Sequence, residues 1–162
     1  MTADVSNKVK EENKELIEKH PYLLPRDFLG NKIENYNYEF TYLDDMPQGW
    51  RAAFGGQMCN EITEFLKAHD FLYQYRVVQI KEKFGELRWY DNGGPDGLYD
   101  IIGKYEILSG KTCICCGDVA TKYSTGWISP YCEKCANNLS TKYHIKFHDG
   151  INPLYDFDEG GD

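Results

Sequence analysis

The chain has 162 residues, of which 41% are hydrophobic and 27% are charged, and its formal net charge at pH 7 is −8. This composition is globular, because a disordered chain would contain fewer aromatic residues than the 15% found here. The negative charge argues against non-specific binding to nucleic acid or to an anionic membrane, and no apolar run approaches the roughly 18 residues of a transmembrane helix.

The N-terminal part of the chain predicts a helix followed by a strand. Residues 6–20 carry a thin apolar stripe, with Ser6 as the predicted cap and Pro21 as the end, because proline disfavours helical geometry in the residue before it. Residues 36–43 alternate aromatic and polar side chains. A period of two with aromatic residues predicts a strand with one buried face.

The next stretch predicts a second helix that ends near His69. Acidic residues and Pro47 give its start signal, because acids favour the positive end of the helix dipole and proline suits the first turn. Its apolar stripe recurs every three or four residues and consists of Trp50, Phe54, Met58, Ile62 and Phe65. Gly55 and Gly56 lie inside this pattern and indicate close packing or a kink, with a functional contact as the alternative.

Residues 73–90 predict a β-hairpin that turns at Gly85, and a helix of about twelve residues follows from Leu98 to near Gly110. The predicted fold class is therefore α+β, with a small antiparallel sheet, two or three helices and a C-terminal zinc ribbon. We expect an α+β core with its N-terminal helix over residues 1–110, the ribbon packed on it over 111–148, and an acidic tail over 149–162.

Four cysteines give the strongest signal in the sequence. Cys113 and Cys116 form one Cys-x-x-Cys pair and Cys132 and Cys135 a second, with fifteen residues between the pairs, which is the spacing of a four-cysteine zinc site. Gly117 supplies the conformational freedom that a tight knuckle needs. The intervening segment predicts a short hairpin around Ser124, Thr125 and Gly126 that carries the second pair back to the first.

Four thiolates saturate a zinc ion, so the predicted cofactor is one structural Zn²⁺ per chain and no catalytic residue is assigned. The alternative is two disulfide bonds, which the apparent lack of a signal peptide disfavours. Cys115 could compete with Cys113 as a ligand, but the Cys-x-x-Cys spacing selects Cys113. Cys59 lies beside an apolar stripe and is predicted to be a core thiol.

Other motifs receive structural interpretations. The letters GKT at residues 110–112 lack the earlier glycine of a phosphate-binding loop. His144 and His148 are predicted to be solvated on an extended segment, and His20 and His69 to suit the negative ends of helix dipoles. The pairs Asp44-Asp45 and Asp91-Asn92 favour caps and turns over catalysis.

The segment KEKFGELRWY, after a helix that opens PQGW and before the cysteine pairs, resembles a family of bacterial and phage proteins. That family has a KEKFGxLRxY box followed by a zinc knuckle pair and has no established activity. The matching positions cover roughly residues 45–136 and comprise Gly49-Trp50, Lys81 to Tyr90, Cys113 to Gly117, Trp127, Cys132 and Cys135. The resemblance implies a prokaryotic or phage setting, hence the cytoplasm of a bacterium or of an infected host.

The expected function is non-catalytic. We expect the zinc ribbon to hold a surface that binds a macromolecular partner, a protein in the first place, in the role of an inhibitor or regulator, with anti-defence as one case. The first alternative is weak nucleic-acid binding, in which aromatic residues stack on bases and the cations contact phosphates. These cations are Lys81, Lys83, Arg88, Lys122 and Lys134. The second alternative is an enzyme whose site is not visible in the sequence, and the oligomeric state is left open.

Overall fold

The computed structural model describes residues 3–151, in which helices combine with small antiparallel sheets, and this confirms the predicted fold class. The helices are α1 (Ala3–Lys19), α2 (Gln48–Trp50), α3 (Gly56–Ala68), α4 (Leu98–Ser109) and α5 (Glu133–Tyr143). A π-helical segment (Arg51–Gly55) joins α2 to α3. The strands are β1 (Val77–Lys83), β2 (Glu86–Asp91), β3 (Lys122–Ser124), β4 (Pro130–Tyr131) and β5 (Phe147–Asp149). The pair β1–β2 forms one sheet, and β3 lies between β4 and β5 in the other.

Within the described residues, the N-terminal helix α1 spans Ala3–Lys19 and ends before Pro21, as the proline signal predicts. Ser6 lies inside the helix, so its predicted role as a cap is wrong. The apolar stripe is thin, and only Leu16 of α1 packs against the hydrophobic core. Asn13 adds a buried polar contact, because its side-chain amide donates to the carbonyl oxygen of Tyr38 at 2.7 Å.

The strand predicted over residues 36–43 is wrong. Asn35 and Tyr38 adopt left-handed backbone angles, with φ of 58° and 62°, and an extended strand cannot continue through such a residue. The chain then forms a 3₁₀ helix (Tyr42–Asp45) that begins with a reciprocal cap between Thr41 and Asp44. Asp44 is therefore a capping residue, in line with the structural interpretation of the acidic pair.

The helical segment from α2 to α3 carries the predicted apolar stripe into the centre of the molecule. Trp50, Phe54, Met58 and Ile62 are buried, and Phe65 is partly buried at the edge. The π-helical segment contains Gly55, where a Cβ atom would lie 3.3 Å from the side chain of Arg51, but nothing lies within 4 Å of a Cβ atom on Gly56, so the predicted close packing is wrong for Gly56. The remaining core side chains are Tyr22, Leu23, Leu43, Met46, Cys59, Leu66, Leu72, Tyr75, Val77, Ile80, Leu87, Trp89, Leu98, Ile102 and Tyr105.

The predicted β-hairpin is confirmed. Strands β1 and β2 pair antiparallel, with Lys83 opposite Glu86. The two turn residues, Phe84 and Gly85, both have positive φ, of 53° and 81°, which is the backbone of the tight turn whose twist matches that of the strands. Helix α4 ends at Ser109, as the sequence predicts, and packs on β2.

His20 does not hold a charge at the end of its helix, which corrects the sequence-based interpretation. Its side chain is 2% exposed, and its Nδ1 lies 2.6 Å from the hydroxyl oxygen of Thr63. Tyr22 completes the buried polar cluster, because its hydroxyl donates to the carbonyl oxygen of Cys59 at 2.8 Å. Burial, with smaller contributions from Lys19 and Lys67, lowers the pKa of His20 from 6.5 to about 4.

This burial predicts a pH dependence of stability. The unfolded chain binds a proton at His20 below pH 6.5, whereas the folded chain does so only near pH 4. The folded state therefore has its full stability, as far as His20 is concerned, above pH 6.5. As the pH falls towards 4, the free energy of unfolding decreases by up to about 1.4 kcal/mol per pH unit because of this one group. Urea unfolding between pH 7 and pH 4.5 measures the slope. The variant His20→Asn should show a shallower slope, and equal slopes would contradict the assignment.

The C-terminal region contains the predicted hairpin, since β3 and β4 pair on either side of the turn that includes Gly126. Helix α5 has no counterpart among the predicted elements, whereas β5 lies at the end of the segment predicted to be extended around His144 and His148. His144 follows α5 with φ of 57° and His148 lies in β5, so the two histidines do not share a helical face. Both side chains are exposed, as the sequence predicts.

The start of the predicted acidic tail makes contacts with β3. Lys122 pairs with Asp149 at 2.6 Å, and the backbone N–H of Gly150 donates to the carbonyl oxygen of Thr121 at 2.8 Å. Residues 152–162, which make up the rest of that tail, lie outside the described residues.

Candidate metal centre

The first cysteine pair lies in a tight turn after α4. The backbone N–H of Cys113 donates to the carbonyl oxygen of Asp118 at 2.7 Å, and that of Gly117 donates back to the carbonyl oxygen of Cys113 at 3.0 Å. Gly117 has φ of 88°, so the turn requires the freedom that the sequence analysis assigns to it. This knuckle brings the sulfur atoms of Cys113 and Cys116 to the same side of the chain.

The second cysteine pair lies at the start of α5, where Cys132 is the N-cap residue. Its sulfur accepts a hydrogen bond from the backbone N–H of Cys135 at 3.4 Å. One helical turn thus carries both sulfur atoms. The strand pair β3–β4 returns the chain from the first knuckle to this turn, which is the geometry expected of the intervening hairpin.

All four sulfur atoms meet in one cluster. The Sγ atoms of Cys113, Cys116, Cys132 and Cys135 lie within 4.8 Å of one another, and those of Cys116 and Cys132 are 3.6 Å apart. A tetrahedral zinc ion with Zn–S bonds of about 2.3 Å would separate its sulfur ligands by about 3.8 Å. The sulfur separations therefore fit a four-coordinate metal ion, and all of these cysteines are free thiols, not disulfides.

The surroundings of the cluster shift the pKa values of its thiols in both directions. Burial opposes ionisation of Cys113, but backbone N–H groups of Cys132, Cys116 and Cys115 donate to its sulfur and hold its pKa below the usual value. Burial and hydrogen bonds to the neighbouring thiols, led by that of Cys132, raise the pKa of Cys135. Metal binding requires the thiolate form, so an ion would displace the protons that these sulfurs otherwise share.

The two remaining cysteines lie outside the four-sulfur cluster. Cys115 is exposed at the surface of the knuckle, so it does not replace Cys113 in the set. Cys59 is fully buried in the hydrophobic core, and burial raises the pKa of its thiol to about 12. Its position confirms the prediction of a core thiol.

The knuckle is attached to the core by the start of the second helical segment. The backbone N–H of Gly49 donates to the carbonyl oxygen of Ile114 at 2.9 Å, and the indole N–H of Trp50 donates to that of Thr112 at 3.0 Å. A Cβ atom on Gly49 would lie only 2.2 Å from the carbonyl oxygen of Cys113. Gly49 is therefore the glycine at which an added side chain would clash most closely with the backbone. The sequence does not predict this role.

The other candidate residues occupy structural positions. Ser109, the residue before the letters GKT, accepts a hydrogen bond at its hydroxyl from the backbone N–H of Leu87 at 2.8 Å. Asp91 accepts hydrogen bonds from the hydroxyls of Tyr75 and Tyr99 and from a backbone N–H in its loop. These contacts agree with the capping and turn-forming roles assigned from the sequence.

The candidate nucleic-acid residues do not form one free basic surface. Arg88 pairs with Glu86 at 2.5 Å, and Lys122 pairs with Asp149. Among the aromatic residues, Trp127 is 71% exposed. Lys81 lies over the ring of Tyr90 and Lys83 over that of Phe84, and the ion pairs found within residues 3–151 include neither of them nor Lys134.

Comparisons with protein-family models, with curated proteins and with solved structures found no match to this chain. In the part of the chain from residue 3 to residue 151, no helix combines the length and the apolar character that crossing a bilayer demands.

Proposed function

We propose that this chain is a non-catalytic protein in which one structural zinc ion stabilises a surface that binds a protein partner. The four-sulfur cluster supports the metal, because four thiolates complete a tetrahedral site and leave no position for a catalytic water. The resemblance to bacterial and phage proteins supplies only the setting, and the excess of acidic residues extends the proposal to an inhibitor or regulator of a host protein, with anti-defence as one case.

One observation carries the proposal, namely an exposed tryptophan held in place where the hairpin meets the ribbon. The indole N–H of Trp127 donates to a carboxylate oxygen of Glu82 at 3.0 Å, while the other oxygen accepts from the backbone N–H of Gly85 at 2.6 Å. Phe84, in the same turn, is 58% exposed. We call Glu82, Phe84 and Trp127 the hairpin–ribbon surface.

This surface has the properties of an interaction site. Tryptophan is among the residues that contribute most to binding energy at protein interfaces, and a ring already held in one position loses less entropy on binding. A bound zinc ion with four thiolates would make the chain still more acidic than its formal −8. That charge disfavours nucleic acid and favours a partner with a basic surface.

The test is affinity purification from a prokaryotic lysate with the wild-type chain and two variants. We expect the wild type to enrich one protein from the lysate and Trp127→Ala to lose it. In a purified complex with that protein, Trp127→Ala should reduce the binding free energy by about 2 kcal/mol or more. Tyr73→Ala is the control, because Tyr73 is 82% exposed but lies outside the hairpin–ribbon surface. Both variants should keep the metal and the melting temperature of the wild type.

Nucleic-acid titrations separate this proposal from its alternative. Weak binding to duplex DNA, single-stranded DNA and RNA, near the non-specific range of about 10 µM or poorer at physiological salt, agrees with a protein partner. Sub-micromolar binding that falls steeply with salt and disappears when Lys81 and Lys83 are replaced would overturn it. Equal recovery of every lysate protein by wild type and Trp127→Ala would do the same.

A further inference from the structure

Two arginine side chains converge on one carbonyl group at the opening of a cavity. The Nη1 atoms of Arg26 and Arg76 donate to the carbonyl oxygen of Gly30 at 3.2 Å and 3.0 Å. The cavity has a volume of about 260 Å³ and lies between the loop from Arg26 to Gly30 and the start of β1. We call these residues and the cavity the arginine pocket.

The backbone at Gly30 makes this convergence feasible. Gly30 has φ of +83°, and a Cβ atom there would lie 2.4 Å from Nη1 of Arg76. Only glycine therefore accommodates both the backbone angle and the guanidinium group above it. The two Nη1 atoms share one acceptor, so they lie at most about 6 Å apart, and their charges repel each other.

Neither guanidinium group is neutralised by the described part of the chain. The ion pairs found within residues 3–151 do not include Arg26 or Arg76. Asp27 also lines the pocket, but none of those ion pairs includes it, and its Oδ1 accepts from the backbone N–H groups of Leu29 and Asn31. Two unpaired cations side by side are unusual in a chain with eight excess acidic residues, and an anionic ligand would stabilise them.

The rest of the pocket is apolar. Its lining includes Phe28, Leu29, Tyr42 and Val78. Phe28 is 97% exposed and Leu29 is 71% exposed, so both apolar side chains are available to contact a ligand. A matching ligand carries an anionic group at one end and an apolar or aromatic body at the other, and the cavity volume limits it to a small molecule.

We propose that the arginine pocket binds the phosphate group of a small phosphomonoester with an apolar or aromatic body. Each guanidinium group has five N–H donors and uses one on Gly30, so the remaining donors of both can bind the oxygens of one phosphate. A phosphomonoester carries a charge of about −1.5 to −2 at pH 7, which balances two arginines better than a single carboxylate does. This site is separate from the hairpin–ribbon surface and does not depend on the proposed function.

The test is an NMR titration of the full-length zinc-loaded chain with phenyl phosphate as the probe. We expect the amide signals of residues 26–30 and 76–78 to shift in a saturable manner. Benzoate and inorganic phosphate are the comparison ligands, because the first lacks the phosphate and the second lacks the apolar body. Phenyl phosphate should bind about tenfold more tightly than either, and benzoate binding as tightly as phenyl phosphate would overturn the proposal.

Substitutions then assign the binding to the two arginines. Arg76→Ala and Arg26→Gln should each weaken phenyl phosphate binding about tenfold, the loss expected for a charge-assisted hydrogen bond. Arg76→Lys keeps the charge but not the planar fork, so it should also bind more weakly while its melting temperature stays near that of the wild type. Lys134→Ala, on α5, removes a positive charge elsewhere and should bind as the wild type does. Unchanged affinity in all three arginine variants would refute the site.

Discussion

Replacing Cys116 or Cys132 by serine is expected to abolish stoichiometric zinc binding and to unfold the C-terminal region that the metal holds together. The cluster has four sulfur atoms within 4.8 Å of one another, and the loss of one leaves an incomplete site. Zinc contributes about 10–16 kcal/mol to folding in isolated zinc-finger peptides, which exceeds what three short strands and one helix can supply here. The helical core should stay folded, because its own buried stripe does not include the cluster.

Native mass spectrometry of the wild type should show one zinc ion per chain and none in the two variants. Cys115→Ser is the matched control, because it also removes an exposed thiol of the knuckle but lies outside the cluster, and it should keep the metal. Chelation of the wild type should produce the same partial unfolding, seen by circular dichroism and by tryptophan fluorescence. A wild-type chain with two disulfide bonds and no metal would refute the zinc assignment.

Replacing Gly49 by alanine is expected to destabilise the protein by about 4 kcal/mol or more, which is exceptional for the addition of one methyl group. The new Cβ would lie 2.2 Å from the carbonyl oxygen of Cys113 and 2.6 Å from the carbonyl carbon of Ile114. Both contacts are with backbone atoms of the knuckle, so no side-chain rotation relieves them. The hydrogen bond from Gly49 to Ile114 would break, and the metal centre would separate from the helix.

Gly56→Ala is the matched control in the same helical segment. Gly56 has φ of −66° and ψ of −45°, and nothing lies within 4 Å of a Cβ atom placed there. This change should leave stability equal or increase it by up to about 1 kcal/mol, because alanine favours the helix over glycine. Urea unfolding of both variants, with zinc content measured in parallel, makes the comparison. Equal stabilities would contradict the close approach of Gly49 to the knuckle.

Local patterns in the sequence were sufficient for much of this fold and for the candidate ligands. The apolar stripe from Trp50 to Phe65 specifies its helix, and Gly85 specifies the hairpin turn, because side-chain periodicity and positive φ are properties of neighbouring residues. The spacing of the four cysteines likewise predicts their cluster, since each pair needs only one tight turn.

Only the tertiary structure decided the features that depend on residues distant along the chain. Residues 36–43 alternate like a strand, yet no neighbouring strand pairs with them among the described residues, and the left-handed angle of Tyr38 bends the segment away. His20 is neutral because Thr63 and the core surround it, and Gly49 matters because the knuckle lies against it. Arg26 and Arg76 likewise meet over Gly30 only in the folded chain. Burial, close approach and shared hydrogen-bond acceptors arise from packing between distant segments, and sequence periodicity does not encode such packing.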